Sequence, residues 1–260
     1  MPGEQLHITL VQPDIVWEDK AANMQQYEQM INSITGSRHV VVLPEMFSTG
    51  FSMAPERLAE PMEGPSVTWM AEMAVKHKCI LTGSLILEEE GKYFNRMLWA
   101  QPNGVISYYD KRHLFAYAHE DKHYKAGDTR VIAQVNGWKI NLQVCYDLRF
   151  PVWARNQGEE YDILLYVANW PEARSLAWKT LLQARAIENQ CYVVGVNRVG
   201  QDPKGNNYSG DSSVFGPLGE KIWQHSGTPA CHTITLEKKQ LEETRGKFPF
   251  LNDGDKFILL

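Results

Sequence analysis

No run of apolar residues in this 260-residue sequence approaches the ~18 that a membrane-crossing helix requires. The opening MPGEQLHITL places an acidic residue where a secretory leader would carry basic ones. A cytoplasmic protein with no membrane partner is expected. The four cysteines, Cys79, Cys145, Cys191 and Cys231, are far apart and form no C-x-x-C pair, which argues against a zinc ribbon, a thioredoxin-type couple and a disulfide scaffold. Clusters of lysine and arginine interleaved with aromatics are missing too. With a formal charge of −5 and a pI near 5.9, nothing here fits nucleic acid as a partner. Internal repeats and low-complexity segments are also absent.

What the chain does hold is enough apolar material for a sizeable core: 43% hydrophobic against 22% charged, spread evenly. One domain over residues 1–260 is expected. Strand-like runs alternate with helical patterns. LHITLVQP (6–13) reads as a strand, and the period-3.6 positions Met24, Tyr27, Met30, Ile31 and Ile34 read as a helix ended by Gly36. HVVVLPE (39–45) is a continuous apolar run, the mark of a strand buried on both faces. A helix is expected over 66–78, then a meander of antiparallel strands from Cys79 to Asp110 with E-E-G-K and P-N-G turns. WKINLQVCYD and DILLYVANWP read as two more buried strands, with a short helix beginning near Pro151 between them. Residues 175–190 form the clearest amphipathic helix. A further strand (CYVVGVNRVG), a hairpin about G-P-L-G and a charged helix from Lys238 to Arg245 follow. Mixed strands with intervening helices indicate layered α/β architecture. The tail from Gly246 to Leu260, with Phe248, Phe250 and Phe257, is too apolar to be free and is expected to pack on something, another subunit included.

Three strand ends carry ionisable groups. VVVLPEMF puts Glu45 just past a buried strand, GVISYYDKRHLF puts Lys111 at the end of another, and LQVCYDLRFP puts Cys145 at the end of a third. Each alone has a plainer reading: a cysteine as a small buried hydrophobe, a lysine as a solvated edge residue, a glutamate as a helix cap. Together, thiol, carboxylate and ammonium are the parts required for nucleophilic attack on a carbonyl.

LPEMF, YDKRHLF and VCYDLRFP, with the later ANWP and QARAIENQCYVVGVNRVG, resemble the catalytic segments of the nitrilase, or carbon–nitrogen hydrolase, superfamily. The similarity runs from HITLVQ to nearly the end and is closest in wording to the bacterial omega-amidases. The resemblance implies a four-layer αββα sandwich whose subunits pair across the helical layers, giving a homodimer or higher homo-oligomer. It also implies hydrolysis of the terminal amide of small 2-oxo dicarboxylic acid monoamides such as 2-oxoglutaramate, with no cofactor and no metal. On this reading Cys145 is the nucleophile, Glu45 the general base and acid, and Lys111 with the Tyr146 backbone N–H stabilises the oxyanion. Glu120 matches the second glutamate that the family carries after the lysine, and would hold Lys111 and the substrate amide. Arg149, the alternative clamp Arg174, and Trp170 of the NWP segment are the substrate-binding candidates. Arg149 could instead be a structural partner of Asp147. A nitrilase or an N-carbamoyl amino acid hydrolase would need the same four ionisable groups.

One motif points elsewhere. AYAHEDKHYKAG contains H-E-x-x-H at residues 119–123, the short signature of a zinc peptidase helix. The positions between the histidines are Asp121 and Lys122 and Gly127 follows soon after, so the helix would be short and solvated, with no third ligand in evidence. The resemblance assigns Glu120 another task and leaves His119 and His123 without one.

Overall fold

The computed structural model describes residues 3–259; the expectations for the first two residues and for Leu260 lie outside the described residues. Strands β1 (Gln5–Gln12), β2 (Val40–Val42), β3 (Ile80–Glu89), β4 (Lys92–Ala100) and β5 (Ile106–Asp110) form most of one sheet. β1, β2 and β3 run parallel, and the meander β3-β4-β5 is antiparallel. The second sheet holds β6 (Ile132–Val135), β7 (Trp138–Val144), β8 (Ile163–Val167), β9 (Tyr192–Val196), β10 (Val199–Gln201), β11 (Asn207–Phe215) and β12 (Lys221–Ser226). Its centre, β7-β8-β9, is parallel. The chain then returns as β13 (Ala230–Glu237), which pairs antiparallel with β1.

The period of two decides which side chains meet. Val40 and Val42 of β2 face the other sheet, in a core shared with Leu6, Ile8, Trp99, Ile140 and Leu142. Val41 points the opposite way, against Tyr27, Ile31, Met70 and Ala74 of the helices Lys20–Asn32 and Pro65–His77. On the far side of the second sheet lies the helix Ser175–Asn189, burying Trp178, Leu182 and Ala186. The result is the expected αββα sandwich, with β2 apolar all round because both its faces are covered. No helix among the described residues is long and apolar enough to cross a membrane.

Element boundaries differ in two places. The first helix stops at Asn32 rather than near Gly36, because the Ser33 hydroxyl donates to the Met30 carbonyl and the Ile34 N–H closes a tight turn on the Ile31 carbonyl. The run at 39–45 yields only three residues of strand. Pro44 has no N–H for the ladder, so the chain leaves the sheet there and turns Glu45 out at its end. The tail packs partly on its own chain: the Phe248 carbonyl accepts from Gln190, and Leu259 lies in a surface groove with Phe150, Val152 and Trp153. Phe250 and Ile258 remain exposed.

The carboxyl ends of β2, β5, β7 and β8 meet at one edge of the sandwich. That edge is where open α/β sheets place their sites.

Helix Ser175–Asn189 approaches β9 closely enough that a Cβ on Gly195 would lie 2.6 Å from Leu182 and 2.9 Å from Trp178. Gly195→Ala is therefore expected to destabilise the protein by about 1–3 kcal/mol through overpacking, measured as a lower denaturation midpoint in urea.

Candidate active site

Glu45, Lys111, Glu120 and Cys145 come from four separate segments and converge in one buried cluster. The first three are between 0% and 1% exposed. Lys111 Nζ donates to Glu45 Oε1 at 2.9 Å and to both Glu120 oxygens at 3.0 and 2.8 Å. Asn95 in the middle of β4 donates Nδ2 to Glu45 at 2.8 Å and to Glu120 at 3.2 Å, while its own Oδ1 accepts from Ser84. The Asn169 N–H supplies the other Glu45 oxygen at 2.9 Å, and the Phe115 N–H supplies Glu120 Oε2 at 2.6 Å. Every charge in the cluster is thus paired or hydrogen-bonded, as burial demands.

Burial by itself would push the Lys111 ammonium towards neutrality, but the charges on Glu120 and Glu45 outweigh it and hold the pKa above its ordinary value. Glu120 moves up, because desolvation and repulsion from Glu45 exceed the pull of Lys111. The Cys145 thiol is pushed well up by burial and by the Glu45 carboxylate, with Lys111 opposing. At neutral pH the resting side chain is therefore a thiol whose proton faces a carboxylate. Cys145 also holds a left-handed backbone at φ 45°, a conformation that costs a β-carbon residue of order 1–3 kcal/mol. It turns the thiol off the end of β7 into a cavity.

That cavity is about 200 Å³ in volume and is floored by Cys145 and Lys111, with Phe51, Phe115, Trp170 and Tyr208 in its walls. Arg149 and Arg174 both reach it. The Arg149 guanidinium lies 5.1 Å from the Trp170 ring and that of Arg174 lies 5.1 Å from Phe115. Asp147 is not the partner of Arg149, since its two oxygens are taken by Tyr109, Val144 and His113. Trp170 is 3% exposed and is fixed by Asn197, which accepts its N–H and donates to its carbonyl. The Tyr146 side chain also lines the cavity.

Sequence reasoning missed Asn95, Asn169 as a donor to Glu45, and the loop at 202–206. In that loop Asp202 accepts hydrogen bonds from Lys204, Asn206 and Tyr208. Burial would raise its pKa, but those bonds outweigh burial and hold it below the usual carboxylate range. Lys204 joins Lys111, Arg149 and Arg174 as a fourth cation in the cavity lining. Asn95 had a signal: an amide inside the alternating strand KYFNRMLWA, at a position that faces the interior.

The H-E-x-x-H histidines do not share a helix face. His119 stands at φ 62° before a single turn, Glu120–His123, and His123 Nδ1 lies 3.9 Å from Glu56. Glu120 points the other way, to Lys111. No cluster of three His, Cys, Asp or Glu side chains suited to a metal ion exists among the described residues.

Removing the ammonium should expose the cost of the two carboxylates. Lys111→Met is expected to lose about 3–5 kcal/mol of stability by leaving buried charge uncompensated, whereas Cys145→Ala at the cavity wall should lose far less. The Lys111→Met deficit should shrink as pH falls, because the stranded carboxylates bind protons more readily in the folded than in the unfolded state. Urea denaturation across a pH series measures both.

Comparison with known proteins agrees with this site. The chain is 48% identical to omega-amidase YafV of Escherichia coli K12, with each chain fully covered. It is 31% identical to 2-oxoglutaramate amidase of Bacillus subtilis, over 95% of this chain and 96% of that one. A CN-hydrolase superfamily protein from Xanthomonas campestris, XC1258, whose structure carries an arsenic adduct in its active site, superposes with a TM-score of 0.97 at 44% identity, over 99% of this chain and all of that one. The family model for carbon-nitrogen hydrolases matches residues 7–243, a span that includes the whole Glu45–Lys111–Glu120–Cys145 cluster. This chain belongs to the carbon-nitrogen hydrolase family.

Proposed function

We propose that this enzyme is an omega-amidase, releasing ammonia from the terminal amide of small 2-oxo dicarboxylic acid monoamides of the 2-oxoglutaramate type. The observation that carries the reading is a buried thiol–carboxylate–ammonium cluster opening into a small aromatic cavity reached by Arg149 and Arg174, neither of which has an ion-pair partner among the described residues. Similarity to the omega-amidase of E. coli and the 2-oxoglutaramate amidase of B. subtilis supports the substrate class.

In this mechanism the amide carbonyl lies against Cys145. Glu45 takes the thiol proton as Sγ attacks, and Lys111 with the Tyr146 N–H balances the oxyanion. Collapse of the tetrahedral species passes the proton from Glu45 to the departing nitrogen, and ammonia leaves a thioester. Glu45 then takes a proton from water, hydroxide attacks the thioester, and the proton returns to the Cys145 sulfur as the acid departs. Glu120 orients Lys111 and the amide throughout. A thiol that stays protonated beside the Glu45 carboxylate suits this sequence, because the base acts only when the carbonyl arrives.

The cavity's charge favours a 2-oxo acid over the corresponding 2-amino acid. Arg149, Arg174 and Lys204 are cations, and the one carboxylate of the lining, Asp202, is already saturated by hydrogen bonds. An ammonium beside the substrate carboxylate would meet like charges and no free carboxylate, so glutamine is disfavoured. We extend the reading to a homodimer across the outer helical layer, supported by the exposed Leu176 and Ile187 of helix Ser175–Asn189.

Ammonia release across 2-oxoglutaramate, glutamine, aliphatic amides, nitriles and carbamoyl amino acids tests the proposal. The 2-oxo acid amide should be the best substrate and Cys145→Ala should abolish its turnover; a preference for nitriles or neutral amides sinks the substrate assignment. Arg149→Lys keeps the charge but loses the planar fork. It is expected to reduce kcat/KM for the acidic amide roughly ten- to a hundredfold, as for loss of a charge-assisted hydrogen bond, with neutral amides little changed. Equal losses in both classes would make Arg149 structural and move the test to Arg174.

A further inference from the structure

The segments that carry Lys111 and Cys145 are joined at a single carboxylate that lies outside the cavity. Asp147 is fully buried. Its Oδ2 accepts from the Tyr109 hydroxyl at 2.8 Å and from the Val144 N–H at 3.0 Å, and its Oδ1 accepts from the His113 N–H at 2.9 Å and from His113 Nδ1 at 2.8 Å. Tyr109 and His113 flank Lys111, two residues to either side, and Val144 and Asp147 flank Cys145. One side chain therefore spans both reactive positions from both directions. The carboxylate can only accept, so the His113 ring carries its proton on Nδ1.

The imidazole is held in that orientation from outside. It stacks on Phe150 with centroids 3.8 Å apart and planes 7° from parallel, and meets the Trp153 ring edge-on at 6.1 Å. Trp153 Nε1 in turn donates to the Tyr109 hydroxyl at 3.0 Å. The His113 side chain is 23% exposed and does not line the active cavity. A residue placed only to fill space there would not need four converging bonds on the acid behind it.

We propose that Asp147 and His113 are positioning residues, forming a clamp that sets the distance between the Cys145 thiol and the Lys111 ammonium while touching neither substrate nor reacting atoms. Resting on the reading of Cys145 as the nucleophile, the clamp accounts for how a thiol on a left-handed turn keeps its place. Three bonds tie the Lys111 segment to Asp147, from the Tyr109 hydroxyl, the His113 N–H and His113 Nδ1–H; the clamp assigns to the last of these, and not to the imidazole's charge or size, the part that His113's side chain plays.

Asparagine separates these properties, because its Nδ2 reaches the place of His Nδ1 and donates without a titratable ring. His113→Ala is expected to lower kcat on the order of ten- to a hundredfold, the scale set by misplacing a reacting group by about an ångström, while KM stays within about threefold. His113→Asn is expected to restore kcat to within about threefold of wild type, since the donor is retained. Both variants should melt within a few degrees of wild type, so that lost folding cannot account for the split. Alkylation of Cys145 by iodoacetamide, followed by mass spectrometry, should slow in His113→Ala and recover in His113→Asn, because Glu45 and the thiol must be aligned for the proton to leave. The clamp is overturned if His113→Ala keeps wild-type kcat, if the alanine and asparagine variants are equally impaired, or if the loss falls on KM alone. Absence of turnover in the wild type on every amide would strike the functional reading instead, and the alkylation rates would still decide the clamp.

Discussion

One ammonium serves two buried carboxylates, and the site is arranged around that shortage. Glu45 and Glu120 are both shut off from water, where a lone carboxylate would take up a proton rather than stay charged. Lys111 lies between them, within hydrogen-bond distance of each, and Asn95 spans the same pair from the next strand. Attraction at such range in a poorly screened interior is strong enough to offset the desolvation of three ions only when every remaining lone pair is met. This is why β3 and β4 carry Ser84 and Asn95 at buried positions and Asn169 stands just past the end of β8. The constraint extends to the fold: the carboxyl ends of β2, β5 and β7 must arrive at one edge, and the two sheets must hold a fixed separation, or the ion set cannot close.

The cavity shows a related economy in its walls. Each guanidinium lies over an aromatic ring, Arg149 by Trp170 and Arg174 by Phe115, so the cations are oriented without the carboxylate partner that would neutralise them. Less rotamer freedom is then left to lose on binding. Trp170 can serve as such a platform because Asn197 holds its backbone at both the N–H and the carbonyl.

Much of this was legible in the sequence, and the part that was not shares a physical reason. Apolar runs ending in P-E, Y-D-K and V-C-Y-D mark buried strands that stop at reactive side chains, so Glu45, Lys111 and Cys145 stand out, and the period of 3.6 finds the helix Ser175–Asn189. Asn95 and Lys204 escape because their importance arises only when segments distant in the chain meet. The same is true of Asp147, a natural partner for Arg149 by sequence proximity, which the fold hands to Tyr109 and His113. The H-E-x-x-H string has the residue types of a metal site, but His119 sits in a left-handed turn, and backbone direction rather than composition decides where its side chain goes.

The unequal count of charges beside the thiol also gives the proposed chemistry a direction. An amide arrives at that end of the cavity uncharged and meets two anions and one cation without penalty. Hydrolysis converts it, in place, into a carboxylic acid, which on losing its proton becomes a third anion close to Glu45 and Glu120, where Coulomb repulsion is weakly screened. The acid is then driven outwards, and an acid coming from solution would have to climb the same repulsion to reach the sulfur. The charge imbalance thus acts as an ejector for product, built into the resting enzyme.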